Sequence, residues 1–385
     1  MVLENNYGKE DVLLDSTAGC VLSGRLPVAF RGDRYADTHA YRDCHECQRQ
    51  RVAVLDGTVL RNGTPVVDAP RGGVLNARIL WSFSAAYRTF KDEAYLKLAD
   101  KSQRYFIDTF IDKEHGGVYW LVNPDGEVLN ASKYTYAMTY AIYGLAEHYL
   151  ATGNSESLDM AVGLYHTLEE KGREPQYDGY VESFTEDWKQ LDNYDNNAPK
   201  TMNAHLHVLE AYTLLYQCWK DDGLRKRLEF CTELFMDRIY DSSKRHFNLF
   251  FDNAWNSLVE MDSYGHDVEA ARVLEDRQLM DRANRLALDV TDACLAEGLS
   301  DKGYMMYEKK GGRTTGHASW WGQIETMIAC VNAWQISGND VYREYGEWYS
   351  DCFDGEPKKD TPKVSMWRCP YHTVRLGVEI HNRLK

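Results

Sequence analysis

Amphipathic segments recur in pairs along this chain, and that pairing constrains the fold more than any other feature. From residue 74, LNARILWSFSAAYRTF is followed by DEAYLKLADKSQRYFIDTFI, and KYTYAMTYAIYGLAEHYLATG by SESLDMAVGLYHTLEEK. NAHLHVLEAYTLLYQCW precedes LRKRLEFCTELFMDRIY, SYGHDVEAARVLEDRQL precedes MDRANRLALDVTDACLAEG, and ASWWGQIETMIACVNAWQISG ends the series. Apolar residues return every three or four positions, the period of a helix with one buried face. Short aromatic stretches lie between the pairs: GGVYW (116–120), DGYVESF (178–184), RHFNLFF (245–251), KGYMMYE (302–308) and GEWYS (346–350). Each reads as a strand or hairpin. A unit of two helices and a hairpin, recurring about every 60 residues, is a repeat architecture in which neighbouring units cover one another. If the ends meet, the result is an all-α fold, an (α/α)6 barrel or toroid with short β-hairpins between helix pairs. An open solenoid is the alternative. Polar and aromatic residues on the first helix of each pair suit a central cavity and favour closure.

The repeat is irregular at its ends. Residues 1–70 show no helical period and contain a turn, DGTVLRNGTP. They are read as a divergent N-terminal segment, where a twelfth helix is expected but not visible. Residues 71–385 are read as the barrel and catalytic domain. The outer helix near VYREYG is expected to be short.

Composition narrows the partners. The net charge is −15 with no Lys/Arg block, so the surface repels phosphate backbones and anionic lipid. Neither nucleic acid nor a membrane is expected as a partner; no apolar run approaches the ~20 residues of a membrane span, and the start lacks the basic and apolar regions of a signal peptide. Nine cysteines, an odd number, suit free thiols in a reducing cytoplasm. Cys44 and Cys47 form a C-x-x-C with no second pair and no βαβ context, which reads as incidental thiols.

Histidines mark the candidate site. NAHLHVLE places His207 and Glu210 three apart, and SYGHDVEA does the same for His266 and Glu269; residues at that spacing share a helix face. CPYHTVRLGVEIH offers His372 with Arg375 one turn on, WWGQIE offers Glu325, and LNARILW offers Arg78. All fall near the starts of inner helices, at one end of a toroid. Carboxylate-oriented imidazoles with pKa near working pH suit acid/base proton transfer. A metal site is not expected, because in a ring the acidic pairs sit on separate spokes. Trp320, Trp321 and Trp367 border these segments and suit stacking on pyranose rings, though neighbouring Trp320 and Trp321 cannot both face the cavity.

At these residues the chain resembles the N-acylglucosamine 2-epimerase and cellobiose 2-epimerase superfamily. The matching motifs, RGGVLNARILW, GGVYW, KTMNAHLHVLEAYT, SYGHDVEA, WWGQIE and MWRCPYH, run in order over residues 71–385. GGVLNARILW and MWRCPYH look most like cellobiose 2-epimerases. The resemblance implies an (α/α)6 barrel and an isomerase that inverts C2 of a reducing-end sugar through ring opening and an enediolate, with no cofactor. It implies that His266 and His372 act as general acid and base, that His207 assists ring opening, that Glu269 and Glu325 orient and tune the histidines, and that Arg78 holds the reacting oxygens. Tyr136 and Asn203 match sugar-contacting positions; Trp321 and Trp367 match stacking tryptophans. The chain departs from the family at Tyr134 and Ala137, and at Arg272, where cellobiose enzymes often carry tryptophan. Mannose/glucose or N-acylglucosamine epimerisation, or aldose–ketose isomerisation, therefore stand beside cellobiose. A hydrolase would need paired acids, whereas these acids are tied to histidine or arginine; a non-catalytic sugar-binding protein is the other class. Monomer and homodimer are both open.

Overall fold

The structure, a computed structural model, describes residue 58 and residues 66–384, apart from 192–197, 274–279, 345–351, 354–355 and 358–368. Among the described residues there are ten α-helices: α1 Gly73–Phe90, α2 Glu93–Phe110, α3 Thr135–Thr152, α4 Ser155–Thr167, α5 Met202–Cys218, α6 Asp222–Leu234, α7 Tyr264–Val273, α8 Met280–Gly298, α9 Trp320–Ser337 and α10 Tyr371–Arg383.

Burial sorts them into two layers. In α1 every residue from Gly73 to Ala86 is buried, as expected of a helix covered on all sides. Its partner α2 buries only Tyr95, Ala99, Ser102, Gln103, Phe106, Ile107 and Phe110, a single stripe with water on the other face. The links are short: between α3 and α4, Gly153 takes the left-handed conformation (φ 76°) that ends one helix, and the Asn154 side chain caps the next. The inner helices form a closed ring. α1 packs on α3, α3 on α5, α5 on α7, α7 on α9, α9 on α10, and α10 returns to α1. The outer α2, α4, α6 and α8 back onto this ring, and a 3₁₀ turn, Asp340–Glu344, stands outside α9 where the sequence suggested a shortened helix. The toroid is therefore closed, as expected. The segment where a twelfth helix was sought, Cys44, Cys47 and the GEWYS stretch all lie outside the described residues.

The strands occupy one end. A two-residue strand leads into each of five inner helices: Arg71–Gly72, Lys133–Tyr134, Lys200–Thr201, Met261–Asp262 and His317–Ala318. Each pairs antiparallel with a strand after the outer helix of its own unit, for example Arg71–Gly72 with Leu121–Val122 and Lys133–Tyr134 with Ser183–Phe184. The aromatic stretches are only partly strand; in GGVYW, Val118 bridges Ile111 and the regular pairing begins after it.

Two hairpins repeat the same fastening. Trp188 Nε1 donates to the His115 carbonyl (3.0 Å), and Trp255 Nε1 to the Tyr177 carbonyl (3.3 Å). Their rings lie so close to Gly117 and Gly179 that a Cβ there would come within 2.7 and 2.4 Å of the indoles. Both glycines also have positive φ, 87° and 88°, so glycine is required twice over. Hairpins, and hence the starts of the inner helices, all gather at one mouth of the barrel.

Candidate active site

Every described candidate lies in the first two turns of an inner helix, because each inner helix starts at the hairpin end. Arg78 comes from α1, Tyr136 from α3, Asn203 and His207 from α5, His266 and Glu269 from α7, Trp321 and Glu325 from α9, and His372 from α10. Trp367 and the Arg272 side chain lie outside what is described.

The buried Arg78 guanidinium donates through Nη2 to the phenol oxygens of Tyr136 (2.6 Å) and Tyr140 (2.8 Å). The Tyr140 hydroxyl lies 3.3 Å from His207 Nε2, and His207 Nδ1 lies 3.1 Å from Glu210 Oε2. His372 Nδ1 is 2.8 Å from Glu325 Oε1, supplied by the neighbouring helix α9. His266 differs. Its Nδ1 partner is the Ser263 hydroxyl at 2.7 Å, not Glu269, although the three-residue spacing suggested that pairing. Glu269 instead takes a hydrogen bond from Arg375 Nη2 at 2.6 Å.

Arg375 joins the parts together. Nη1 donates to Glu210 Oε1 (2.7 Å), while Nη2 donates to both Glu269 Oε1 and Glu325 Oε1 (2.6 Å each). Its Nε also reaches Glu325 Oε1 at 3.2 Å, and Tyr371 donates its hydroxyl to Glu210 Oε2 at 3.2 Å. The expectation that acids on separate spokes would stay apart is thus corrected. Glu269, Glu325 and His372 converge within 4.8 Å, close enough to offer a cation three ligands. They are held together by the Arg375 guanidinium, which bridges Glu269 and Glu325. Two further groups of potential ligands gather elsewhere, His246–Asp267–Cys294 and Asp112–His115–Glu186. In the first, Asp267 is already taken by His246 Nδ1 (2.8 Å) and the Phe247 N–H (3.2 Å); in the second, Asp112 is taken by the Lys133 ammonium at 2.6 Å.

Trp321 lies between the two outermost imidazoles, its ring centroid 4.7 Å from that of His266 and 5.8 Å from that of His372. Gly265 permits this approach, since a Cβ there would meet the indole at 2.7 Å. Trp320 also reaches His372 edge-on at 6.3 Å, while packing on Ile324, Met327 and Ile328; it serves the core, as one of the pair had to. Asn203 Oδ1 is a buried acceptor with no hydrogen-bond partner, one turn before His207 on the same face of α5.

Burial dominates the electrostatics. It pushes the His266 imidazole down to about 4, with Glu269 pulling the other way. Burial, then the Arg375 and Arg78 charges, hold His372 well below the ordinary value. Each shift favours the neutral ring, the state that accepts a proton. Burial raises the phenols of Tyr136, Tyr140 and Tyr371, which stay protonated as hydrogen-bond donors.

Tyr140, Tyr371 and Ser263 were absent from the sequence-derived site, and Arg375 was noted there only as a neighbour of His372. Signals existed: Tyr140 is four residues after Tyr136, Tyr371 four before Arg375, and Ser263 three before His266, all helix-face spacings.

The closed helical toroid has counterparts among solved structures. A solved D-mannose isomerase shares it at TM-score 0.77 and 17% identity, covering 92% of this chain and 98% of that one; this likeness concerns the fold alone. The sequence is decisive beyond that. The chain belongs to the N-acylglucosamine 2-epimerase (GlcNAc 2-epimerase) family, which it matches over residues 57–372. It is 40% identical over 346 residues to a cellobiose 2-epimerase of Bacteroides fragilis, covering 81% of this chain and 88% of the relative. It is 33% identical over 346 residues to a cellobiose 2-epimerase of Dictyoglomus turgidum, covering 82% and 88%. The solved cellobiose 2-epimerase of Bacillus thermoamylovorans superposes at TM-score 0.80 with 32% identity, over 85% of this chain and 92% of that one. The chain is accordingly a sugar 2-epimerase, an isomerase. None of the described helices is long and apolar enough to cross a membrane.

Proposed function

We infer that the substrate is a reducing disaccharide of the cellobiose type, whose reducing-end glucose is converted to mannose at C2. The observation that carries this reading is the gathering of His207, His266 and His372 at one mouth of the barrel, with Trp321 against two of the rings and Arg78 held by Tyr136 and Tyr140. The sugar stacks on Trp321 and opens to its aldehyde, assisted by His207. The aldehyde acidifies the C2 proton. One of His266 and His372, neutral at rest, removes that proton; the other returns one to the opposite face after the C2–C3 bond rotates. Negative charge moves onto the enediolate oxygens, where Arg78 and the Tyr136 and Tyr140 hydroxyls hold it. Glu325 orients His372 through Nδ1, and Ser263 does the same for His266. Asn203 Oδ1 offers an acceptor for a sugar hydroxyl. Five described cysteines are free thiols, in keeping with a cytoplasmic location.

The reading is tested by proton NMR of cellobiose, mannose and N-acetylglucosamine incubated separately with the protein. Glucosyl-mannose from cellobiose, formed faster than epimers of either monosaccharide, is expected. A ketose product would reassign the chain to aldose–ketose isomerisation, and faster monosaccharide turnover would reassign the substrate.

A further inference from the structure

The proton transfer inferred above needs one neutral imidazole and one protonated one at the same time, since one ring takes a proton as the other gives one. The site has a source for that balance. Five groups that carry charge when ionised are sealed into the mouth of the cavity: Arg78 and Arg375 against Glu210, Glu269 and Glu325, each 5% exposed or less. Two positive and three negative charges leave one negative charge. We propose that Arg375 is a positioning residue that fixes this residual charge, by binding all three carboxylates with one guanidinium, so that the electrically balanced cavity holds one proton among His207, His266 and His372.

The geometry supports a shared account. Each carboxylate that Arg375 binds also acts on a histidine. Glu210 hydrogen-bonds His207 and Glu325 hydrogen-bonds His372, while Glu269 acts on His266 through its charge. In a buried, weakly screened site, charges this close couple strongly, and the proton belongs to the set rather than to one ring. Among the described residues, the other groups named around the histidines are uncharged. From α3 and α10 these are Tyr136, Tyr140 and Tyr371, and the Cys369 thiol before α10, all raised by burial; from α7 and α9 they are the Ser263 hydroxyl and the Trp321 indole. Glu182, after α4, acts on Tyr136 from farther out, where it is only half-buried and accepts a hydrogen bond from the Thr201 hydroxyl at 2.6 Å.

The proposal rests on the proton-transfer reading, but its test does not need turnover. Histidine ring ¹⁵N NMR on the sugar-free protein follows the imidazole titrations directly. Arg375→Gln leaves two net negative charges, and the titration of the site histidines should move up by about one unit or more. Glu210→Gln leaves none, and the titration should move down by a similar amount. Arg375→Lys keeps the charge but not the three-way grip, so the titration should stay within a few tenths of the parent while kcat falls more than tenfold with little change in KM. Opposite shifts in the two Gln variants are the expected result; a merely structural Arg375 would produce no such pair. Shifts in the same direction, or none in either, would overturn the proposal. Should Arg375→Gln not fold, an unmoved titration in Glu210→Gln overturns it alone. If the parent shows no C2 exchange yet the titrations shift oppositely, the charge account stands and the epimerase mechanism fails.

Discussion

Lys200 and Arg375 are both cations with 0% of their surface exposed, each at the same mouth of the barrel. Their partners differ in kind. Lys200 Nζ donates to Glu174 Oε2 and to the carbonyls of Asp178 and Asn253, and Glu174 in turn receives the N–H groups of Gln176 and Tyr177. Lys133 repeats the pattern: it binds Asp112, which receives the N–H groups of Glu114 and His115. These networks run into backbone at the hairpins, although the half-buried His115 ring also stands 3.6 Å from Asp112. The Arg375 network ends in carboxylates, two of which hydrogen-bond buried imidazoles, groups that can change state. What a buried charge does is therefore legible from what its partners are able to do, more than from its burial.

The largest expected effect separates the two regions outright. His266→Ala and His372→Ala should each lower kcat per folded molecule by about 10²- to 10⁴-fold, even though loss of a buried ring also costs some stability in urea. Lys200→Met should do the reverse. It strands Glu174, and unfolding in urea should show a loss of about 3–5 kcal/mol with kcat per folded molecule within about threefold of the parent. A loss of activity without a loss of stability in Lys200→Met would break the distinction.

Acid titration sharpens the same contrast. A histidine whose folded pKa is lowered leaves the unfolded chain binding more protons, so stability is lost as pH falls from the unfolded value of about 6.5 toward the folded one. His266, pushed to about 4, should cost on the order of 3 kcal/mol across pH 6.5 to 4. His266→Asn should flatten that window in pH-dependent urea melts. Asp112 works in the other direction. Burial raises it, but the Lys133 hydrogen bond and two backbone N–H groups prevail and hold it at about 2. Its contribution is present above the ordinary carboxylate range and is lost as pH falls toward 2, and Lys133→Met should abolish only that lower step. The smallest effect belongs to the hairpin fastening: Trp188→Phe keeps an aromatic ring but loses the indole N–H bond to the His115 carbonyl, about 1 kcal/mol by thermal unfolding.

The toroid was legible because burial differs so sharply between paired helices, and because glycine and aromatic residues punctuate the repeat. The site was legible in its imidazoles, since His207, His266 and His372 each open an inner helix. What escaped was connectivity across helices. Sequence spacing pairs His266 with Glu269, yet the fold gives His266 to Ser263 and sends Glu269 to Arg375 on α10. That link joins residues 106 positions apart, and no local period can show it. The same blindness set carboxylates on separate spokes when they in fact converge. Arg375 stood one turn from His372 in plain view, but its role depends on three other helices.

The central claim is that His266 and His372 serve opposite faces of C2. It is tested most directly by incubating cellobiose and, separately, its glucosyl-mannose epimer in D₂O with His266→Ala and with His372→Ala. The account predicts that each variant fails to epimerise but still exchanges the C2 proton of one epimer, and that the two variants exchange different ones. Exchange of both epimers by either single variant would show that one histidine reaches both faces, and would contradict it.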